Sequence, residues 1–178
     1  LMPVLMAELG TGINVYGQRL LEALIERPET AHHALGVISD VVIACMRAFR
    51  RVIPEQVCRT QGATGRYAPP GYGLIDGCAT QLVSRRHYDE FFGPLDAAAL
   101  GVFPHGGMIH LCGAHTQHIS SWRNMPVVRS LQLNDRAVDD LEHYFTGLRA
   151  DQLLYVTPTE AFPVNRIMRV TRGRRLVL

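Results

Sequence analysis

Short apolar runs alternate with longer amphipathic stretches along nearly the whole chain. The run "MPVLMAE" has strand length, and the glycines and asparagine of "LGTGINVYG" predict a loop after it, which puts Glu8 at a strand's carboxyl end. "QRLLEALIERPE" carries apolar residues at helical spacing up to Pro28, and "ETAHHALGVISDVVIACMRAFRRVI" predicts a long amphipathic helix closed by Pro54. After the Gly/Pro-rich loop "TQGATGRYAPPGYG", the segment "YGLIDGC" predicts a short buried strand. The order then repeats. "SRRHYDEFFGPLDAAALG" predicts a helix capped by Ser84 and broken at Gly93-Pro94, "GMIHLCG" a strand, "HTQHISSWRNM" a short helix and "VVRSLQLND" a strand. "RAVDDLEHYFTGLR" predicts a helix, "DQLLYVTP" a strand, "FPVNRIMRVTRG" a helix with Gly173 as C-cap, and "RRLVL" the opening of a last strand.

Strands of this length between such helices require a parallel sheet, so the fold class is α/β. A doubly wound sheet and a (β/α)8 barrel of the TIM type both fit the alternation. No GxGxxG stands at any strand-to-helix turn, which lowers the dinucleotide-binding option. Polar groups gather after the strands: Glu8, Asp76 with Cys78, His110 with Cys112, Asn134 with Asp135, and Thr159 with Glu160. A barrel would collect all of these at one face. A full barrel takes ~250 residues, so the 178 residues are expected to form a partial barrel of about five to six β/α units, within one domain spanning 1–178.

Composition narrows the function. With 47% hydrophobic and 19% charged residues the chain is an ordinary globular one. The net charge of +2 and scattered basic residues exclude the footprint of a nucleic-acid binder. Every basic residue is arginine, so Schiff-base chemistry and a P-loop lysine are excluded within this chain. Cys45, Cys58, Cys78 and Cys112 lie far apart without a CxxC pair, and no signal peptide opens the sequence, so a reducing cytoplasmic setting is expected. The longest apolar run falls well short of ~18 residues, and no membrane span is expected.

The densest chemistry lies in "HLCGAHTQH", residues 110 to 118. On a strand, positions i and i+2 share a face, so His110 and Cys112 can aim at one centre while Gly113 lets the backbone turn away. Imidazole and thiolate together suit tetrahedral Zn²⁺. The plainer reading, a cysteine that is simply a small buried hydrophobe, stands beside it. His115 and His118 open the next helix, where a solvated surface position is the default and a proton shuttle the alternative. Trp122 and Tyr88 fall at helical spacing as packing residues, Cys45 and Cys58 read as structural, and Arg66, Arg123 and Arg129 are candidate clamps for substrate carboxylates.

Three stretches in succession, "LLEALIERPETAHHALGVISDVVI", "LIDGCATQLVSRRHYDEFFGPL" and "GMIHLCGAHT", resemble the uroporphyrinogen decarboxylase superfamily, which includes the zinc-dependent methyltransferases acting on corrinoid proteins. "SRRHYDEFFGPL" is similar to that family's Ser-Pro-Glu-x-Phe-x-Glu-Phe-x-x-Pro stretch, with Ser84, Tyr88, Glu90, Phe91 and Pro94 in matching places. The resemblance corresponds to the later part of a family member, without the amino-terminal part that supplies substrate-gripping arginines and an essential aspartate. It implies a (β/α)8 barrel with its site at the carboxyl ends of the strands.

It also implies two activities. The zinc methyltransferases carry a His-x-Cys-Gly at the corresponding strand end, so His110 and Cys112 become zinc ligands for methyl transfer from a corrinoid protein to a small thiol. Their further cysteine has no counterpart in "LYVTPTEAFP", which makes Cys78 the candidate third ligand, with Glu8 and Glu160 as oxygen alternatives. Asp76, His115 and Glu160 are the candidate catalytic groups, Asp76 serving equally as a loop cap or a contact for a polar substrate group. The other activity is metal-free decarboxylation of uroporphyrinogen, which needs no zinc. A non-catalytic partial barrel that binds a ligand or partner is a third expectation.

Overall fold

The computed structural model describes residues 5–54 and 67–178. Six parallel strands form one sheet in the order of the sequence: β1 (Leu5–Met6), β2 (Gly73–Asp76), β3 (Gly107–Leu111), β4 (Val128–Leu133), β5 (Leu153–Val156) and β6 (Leu176–Val177). A doubly wound sheet reverses its strand order at a switch point. Among the described strands there is no reversal, so the α/β expectation holds in its singly wound form, with β1 and β6 as the two edges.

The two faces of the sheet differ. Ile75, Ile109, Leu111, Leu131, Leu133, Leu154 and Val156 face one way and belong to the main apolar core, built with the helices. Period-2 alternation sends Leu74, Met108 and Tyr155 to the other face, where they form a small separate cluster with Val177. Above that apolar layer, Asp76, His110, Gln132 and Tyr155 stand in register across β2 to β5. This polar row lies toward the carboxyl ends of the strands.

Among the described residues, three helices lie between β1 and β2: α1 (Glu8–Tyr16), α2 (Arg19–Glu26) and α3 (Pro28–Val52). Of the glycines that predicted a loop after β1, Gly10 and Gly12 lie inside α1, and Gly17, at φ 66, ends it. Gly12 is buried so closely against Leu20 that a Cβ would collide with it, so the glycine permits helix packing rather than a turn. Pro28 opens α3 and Arg50 and Arg51 close it, on the sides that suit the helix dipole. Ala31, Leu35, Ile38, Val42 and Met46 turn its apolar stripe into the core. No continuous apolar run marks α3 in the sequence, yet its length and composition equal those of a membrane span; 28% of its most apolar 18-residue window is buried in the fold.

After β2 come a 3₁₀ turn (Cys78–Leu82), α4 (Arg85–His87), a π turn (Tyr88–Phe92) and α5 (Gly93–Leu100). Ser84 caps α4, its Oγ accepting the His87 N–H at 3.3 Å. The helix does not break at Gly93-Pro94 as its sequence predicts. The π turn restarts the hydrogen-bond ladder, and Pro94 occupies the first turn of α5, where a missing N–H leaves no bond unmade. A 3₁₀ turn (Thr116–His118) and α6 (Ile119–Asn124) follow β3. A second 3₁₀ stretch (Asp135–Asp140) with α7 (Leu141–Gly147) follows β4, and α8 (Val164–Thr171) follows β5. Arg172, at φ 53, takes the left-handed position after α8, one residue before Gly173.

Trp122 and Tyr88 are fully buried, as their spacing predicts, and they also anchor a polar chain. Trp122 Nε1 donates to Tyr88 Oη at 2.9 Å, and Tyr88 Oη donates to Asp96 Oδ2 at 2.7 Å. Glu8 belongs to the same interior and is 1% exposed. Its Oε1 accepts from Ser39 Oγ at 3.0 Å, and Oε2 has no hydrogen-bond partner among the described residues. Glu8 is therefore the first residue of α1, turned into the helical layer, and not a group of the strand-end face. Burial, and then the neighbouring Glu8 carboxylate, push the Asp96 carboxyl up to about 8.

Candidate metal centre

The centre starts from the strand period. His110 and Cys112 leave the end of β3 on the same side, and His110 Nε2 lies 3.1 Å from Cys112 Sγ. Cys78 arrives from the neighbouring strand. Its N–H donates to Asp76 Oδ1 at 2.9 Å, an Asx-type turn that bends the chain over β3 and sets the thiol 3.9 Å from the His110 carbonyl oxygen. The ligand atoms of Cys78, His110 and Cys112 all lie within 4.8 Å of one another. Tetrahedral zinc with Zn–S bonds of ~2.3 Å separates its ligand atoms by roughly 3.5 to 4 Å, so the His110–Cys112 pair opens by a few tenths of an ångström to admit the ion. Two thiolates and one imidazole leave a fourth position for water or substrate, the pattern of catalytic zinc sites.

The imidazole is already oriented. Its Nδ1–H donates to Gln132 Oε1 at 2.9 Å, which leaves Nε2 with its lone pair toward the cysteines. His110 and Gln132 are 6% and 1% exposed, so this bond is held away from water.

The electrostatics of the cluster favour a cation. Burial pushes the Cys78 thiol far up, followed by its hydrogen bond to Cys112 and the carboxylate of Asp76. Burial likewise raises Cys112, and Asp135 and Asp76 add to it, while the bond from Cys78 acts the other way. Both thiols therefore keep their protons while no cation is near. A coordinated cation reverses that balance, because binding deprotonates a thiol outright and the two carboxylates then face positive charge. Asp135 comes from the turn after β4 and holds φ 46, a left-handed conformation uncommon for a residue other than glycine. Asn134 before it is fixed at both ends: its N–H donates to the Leu111 carbonyl at 2.9 Å, and its Oδ1 accepts from Thr157 at 2.6 Å.

His115 and His118 do not occupy the solvated positions expected of them. Both are 0% exposed. His115 sets Nδ1 2.6 Å from the Gly113 carbonyl and Nε2 3.2 Å from the Cys78 carbonyl, tying the two ligand-bearing loops together. His118 Nε2 meets the Thr80 carbonyl at 2.9 Å. Burial lowers both imidazoles, so they are neutral near pH 7. A neutral imidazole has one N–H, so His115 donates to one carbonyl, the nearer being that of Gly113, while its ring packs between the Gly113 and Cys78 loops.

Glu160 is exposed in the loop after β5 and is not part of the ligand group, among the described residues. Arg129 pairs with Asp151 at 3.3 Å, and the Arg123 carbonyl accepts from Arg149, so both belong to the amino-terminal side of the strands. Arg66 and Cys58 lie outside the described residues. Cys45 is exposed on α3 and is not part of the ligand group. Gln132 was not singled out in the sequence, whereas Asp135 was read only as one of the polar groups that follow the strands. Polar Ser130 and Gln132 alternating with apolar Leu131 and Leu133 is the signal that places Gln132 on the His110 face.

Comparison with known proteins identifies no relative: no family model matches the chain, and no curated protein or solved structure does so.

Proposed function

We propose that Cys78, His110 and Cys112 hold a zinc ion, and that the protein transfers a methyl group from a corrinoid protein to a small thiol, as a member of the uroporphyrinogen decarboxylase superfamily built on a (β/α)8 barrel. The observation that carries this reading is the convergence of the three ligand atoms within 4.8 Å at the carboxyl ends of adjacent strands. The resemblance of "GMIHLCG" and "SRRHYDEFFGPL" to the zinc methyltransferases supports the reaction.

Zinc held by Cys78, His110 and Cys112 would lower the proton affinity of a bound acceptor thiol and keep its sulfur nucleophilic at neutral pH. The chain's own residues do the rest. Gln132 fixes the His110 tautomer, Asp76 shapes the Cys78 turn, and His115 locks that turn to Gly113. The acceptor's S–H proton would pass to solvent as its sulfur bonds to the methyl carbon, and the donor's methyl–cobalt bond would break with its electron pair left on the corrinoid. The free thiols of Cys45, Cys78 and Cys112 suit a reducing compartment, and we place the reaction in the cytoplasm.

Metal analysis of purified protein tests the reading. About one zinc per chain is expected, lost in Cys112→Ala and in Cys78→Ala and retained in Cys45→Ala. Wild-type protein that stays metal-free when offered zinc overturns it. Uroporphyrinogen turnover that persists in chelator selects the metal-free decarboxylase instead, with Asp76 as the carboxylate beside the substrate.

A further inference from the structure

α3 carries more apolar surface than its own fold covers. Its inner stripe from Ala31 to Met46 packs into the core, yet Val37, Val41 and Val52 are 51%, 59% and 75% exposed, and Ala44, Cys45 and Ala48 are exposed with them. At ~3.6 residues per turn these positions fall within an arc of about 100°, so they form one outer stripe of about four turns, roughly 22 Å long. Apolar residues exposed singly are ordinary; a continuous stripe marks a contact surface.

The stripe is symmetric about its middle. Val37 and Val52, Val41 and Ala48, and Ala44 and Cys45 are each equidistant from the midpoint between Ala44 and Cys45. A second α3, antiparallel across a two-fold axis at that midpoint, therefore meets the same pattern that it presents. Valine meets valine at both ends, and the small residues at the centre let the two backbones approach closely. Charge follows the same symmetry. Glu29 and Asp40 precede the midpoint and Arg47 and Arg51 follow it, all of them exposed and on one flank of the stripe. Antiparallel pairing brings Asp40 to the level of the partner's Phe49, between the partner's Arg47 and the partner's Arg51, and the axis repeats that contact. Parallel pairing would instead bring acid level with acid and arginine level with arginine.

We propose that the outer stripe of α3 is a homodimer interface, in which the α3 helices of two copies of this chain pack antiparallel about an axis between Ala44 and Cys45, with Asp40 set against Arg47 and Arg51. Such a stripe on one helix lies below the ~1,200 Å² of a standard interface, so the dimer dissociates at roughly 1 to 100 µM. None of Cys78, His110 and Cys112 comes from α3, so the pairing goes beyond the zinc reading and does not depend on it.

Sedimentation velocity of the full chain across about 1 to 500 µM tests the interface. The wild type is expected to pass from monomer to dimer within that range. Val41→Asp should remove the dimer with an unchanged far-ultraviolet dichroism spectrum, because Val41 is exposed. Asp40→Arg should raise the dissociation constant about tenfold, and combining it with Arg47→Asp and Arg51→Asp should restore the wild-type value. A short bis-maleimide should join two wild-type chains through Cys45, which lies beside the axis, and Cys45→Ala should abolish the crosslink. A chain that stays monomeric throughout, a dimer indifferent to Val41→Asp and to charge reversal, or a crosslink that persists in Cys45→Ala overturns the interface. A monomer that floats with phosphatidylglycerol vesicles overturns it as well and assigns the stripe to a lipid surface.

Discussion

The Nδ1–H of His110 donates to Oε1 of Gln132 at 2.9 Å across the β3–β4 register, and this bond decides which nitrogen the cysteines meet. Without it the imidazole can present N–H toward Cys112 and lose its place as the proposed zinc ligand. Gln132→Leu is expected to weaken zinc affinity by about 10- to 100-fold with the fold intact, whereas Gln132→Glu, which keeps an acceptor oxygen, should retain it. Competition against a chromophoric chelator measures both. Unchanged affinity in Gln132→Leu would show that the ring is oriented by something else.

His115 separates two roles that the sequence left open. As a clasp between the Cys78 and Gly113 loops it should affect metal affinity, and as a proton shuttle it should affect only the pH profile of turnover. His115→Ala is expected to weaken zinc binding without removing a ligand and to lower the unfolding midpoint, since a buried carbonyl loses its partner at a cost of about 1–3 kcal/mol. A variant with native zinc affinity and native stability would argue against the clasp.

Glu8 and Asp96 make stability depend on pH in a stated direction. Asp96 is held at about 8 in the folded protein against an ordinary value of 3.8, and burial raises Glu8 as well. A carboxyl whose folded value is raised binds its proton more tightly folded than unfolded, so stability is highest below the unfolded value and declines as pH rises toward the folded one. Denaturant midpoints should therefore fall between about pH 4 and about pH 8, by at most about 1.4 kcal/mol per pH unit for each group. Asp96→Asn, which still accepts from Tyr88 and cannot ionise, should flatten most of that slope. A wild-type profile flat over this range would contradict the buried pair.

Gly106 supports the amino-terminal end of β3 by a backbone shape that other residues resist. Its φ is 67, and an added Cβ would run into the Val127 carbonyl of the main chain, which has no side-chain freedom to yield. Gly106→Ala is expected to destabilise the protein by about 1–3 kcal/mol, read as a lower unfolding midpoint, with zinc affinity per folded molecule unchanged. Gly36, where a Cβ meets nothing within 4 Å, is the control position, and Gly36→Ala should be neutral or stabilising.

Local pattern alone determined much of this molecule. Period-2 runs and helical spacing are properties of consecutive residues, so the strands around Leu74, Ile109, Leu131 and Leu154 and the amphipathic α3 were legible, as was the common face of His110 and Cys112. Glycine and proline misled where packing competed with turn chemistry: Gly12 sits in a close helix contact, and Pro94 sits in the first turn of a restarted helix.

Tertiary structure decided what lies between strands. The sequential strand order separates the singly wound sheet from the doubly wound one, and no periodicity encodes that order. The same register gives His110 its Gln132 and lets Cys78, 32 residues earlier in the chain, close over the His110 carbonyl. His115 and Glu8, both polar and both read as facing water or the strand ends, became interior groups because main-chain carbonyls and Ser39 were there to receive them. A polar residue's place depends on which partners the fold brings within about 3 Å, and that distance is set by the packing of segments far apart in sequence.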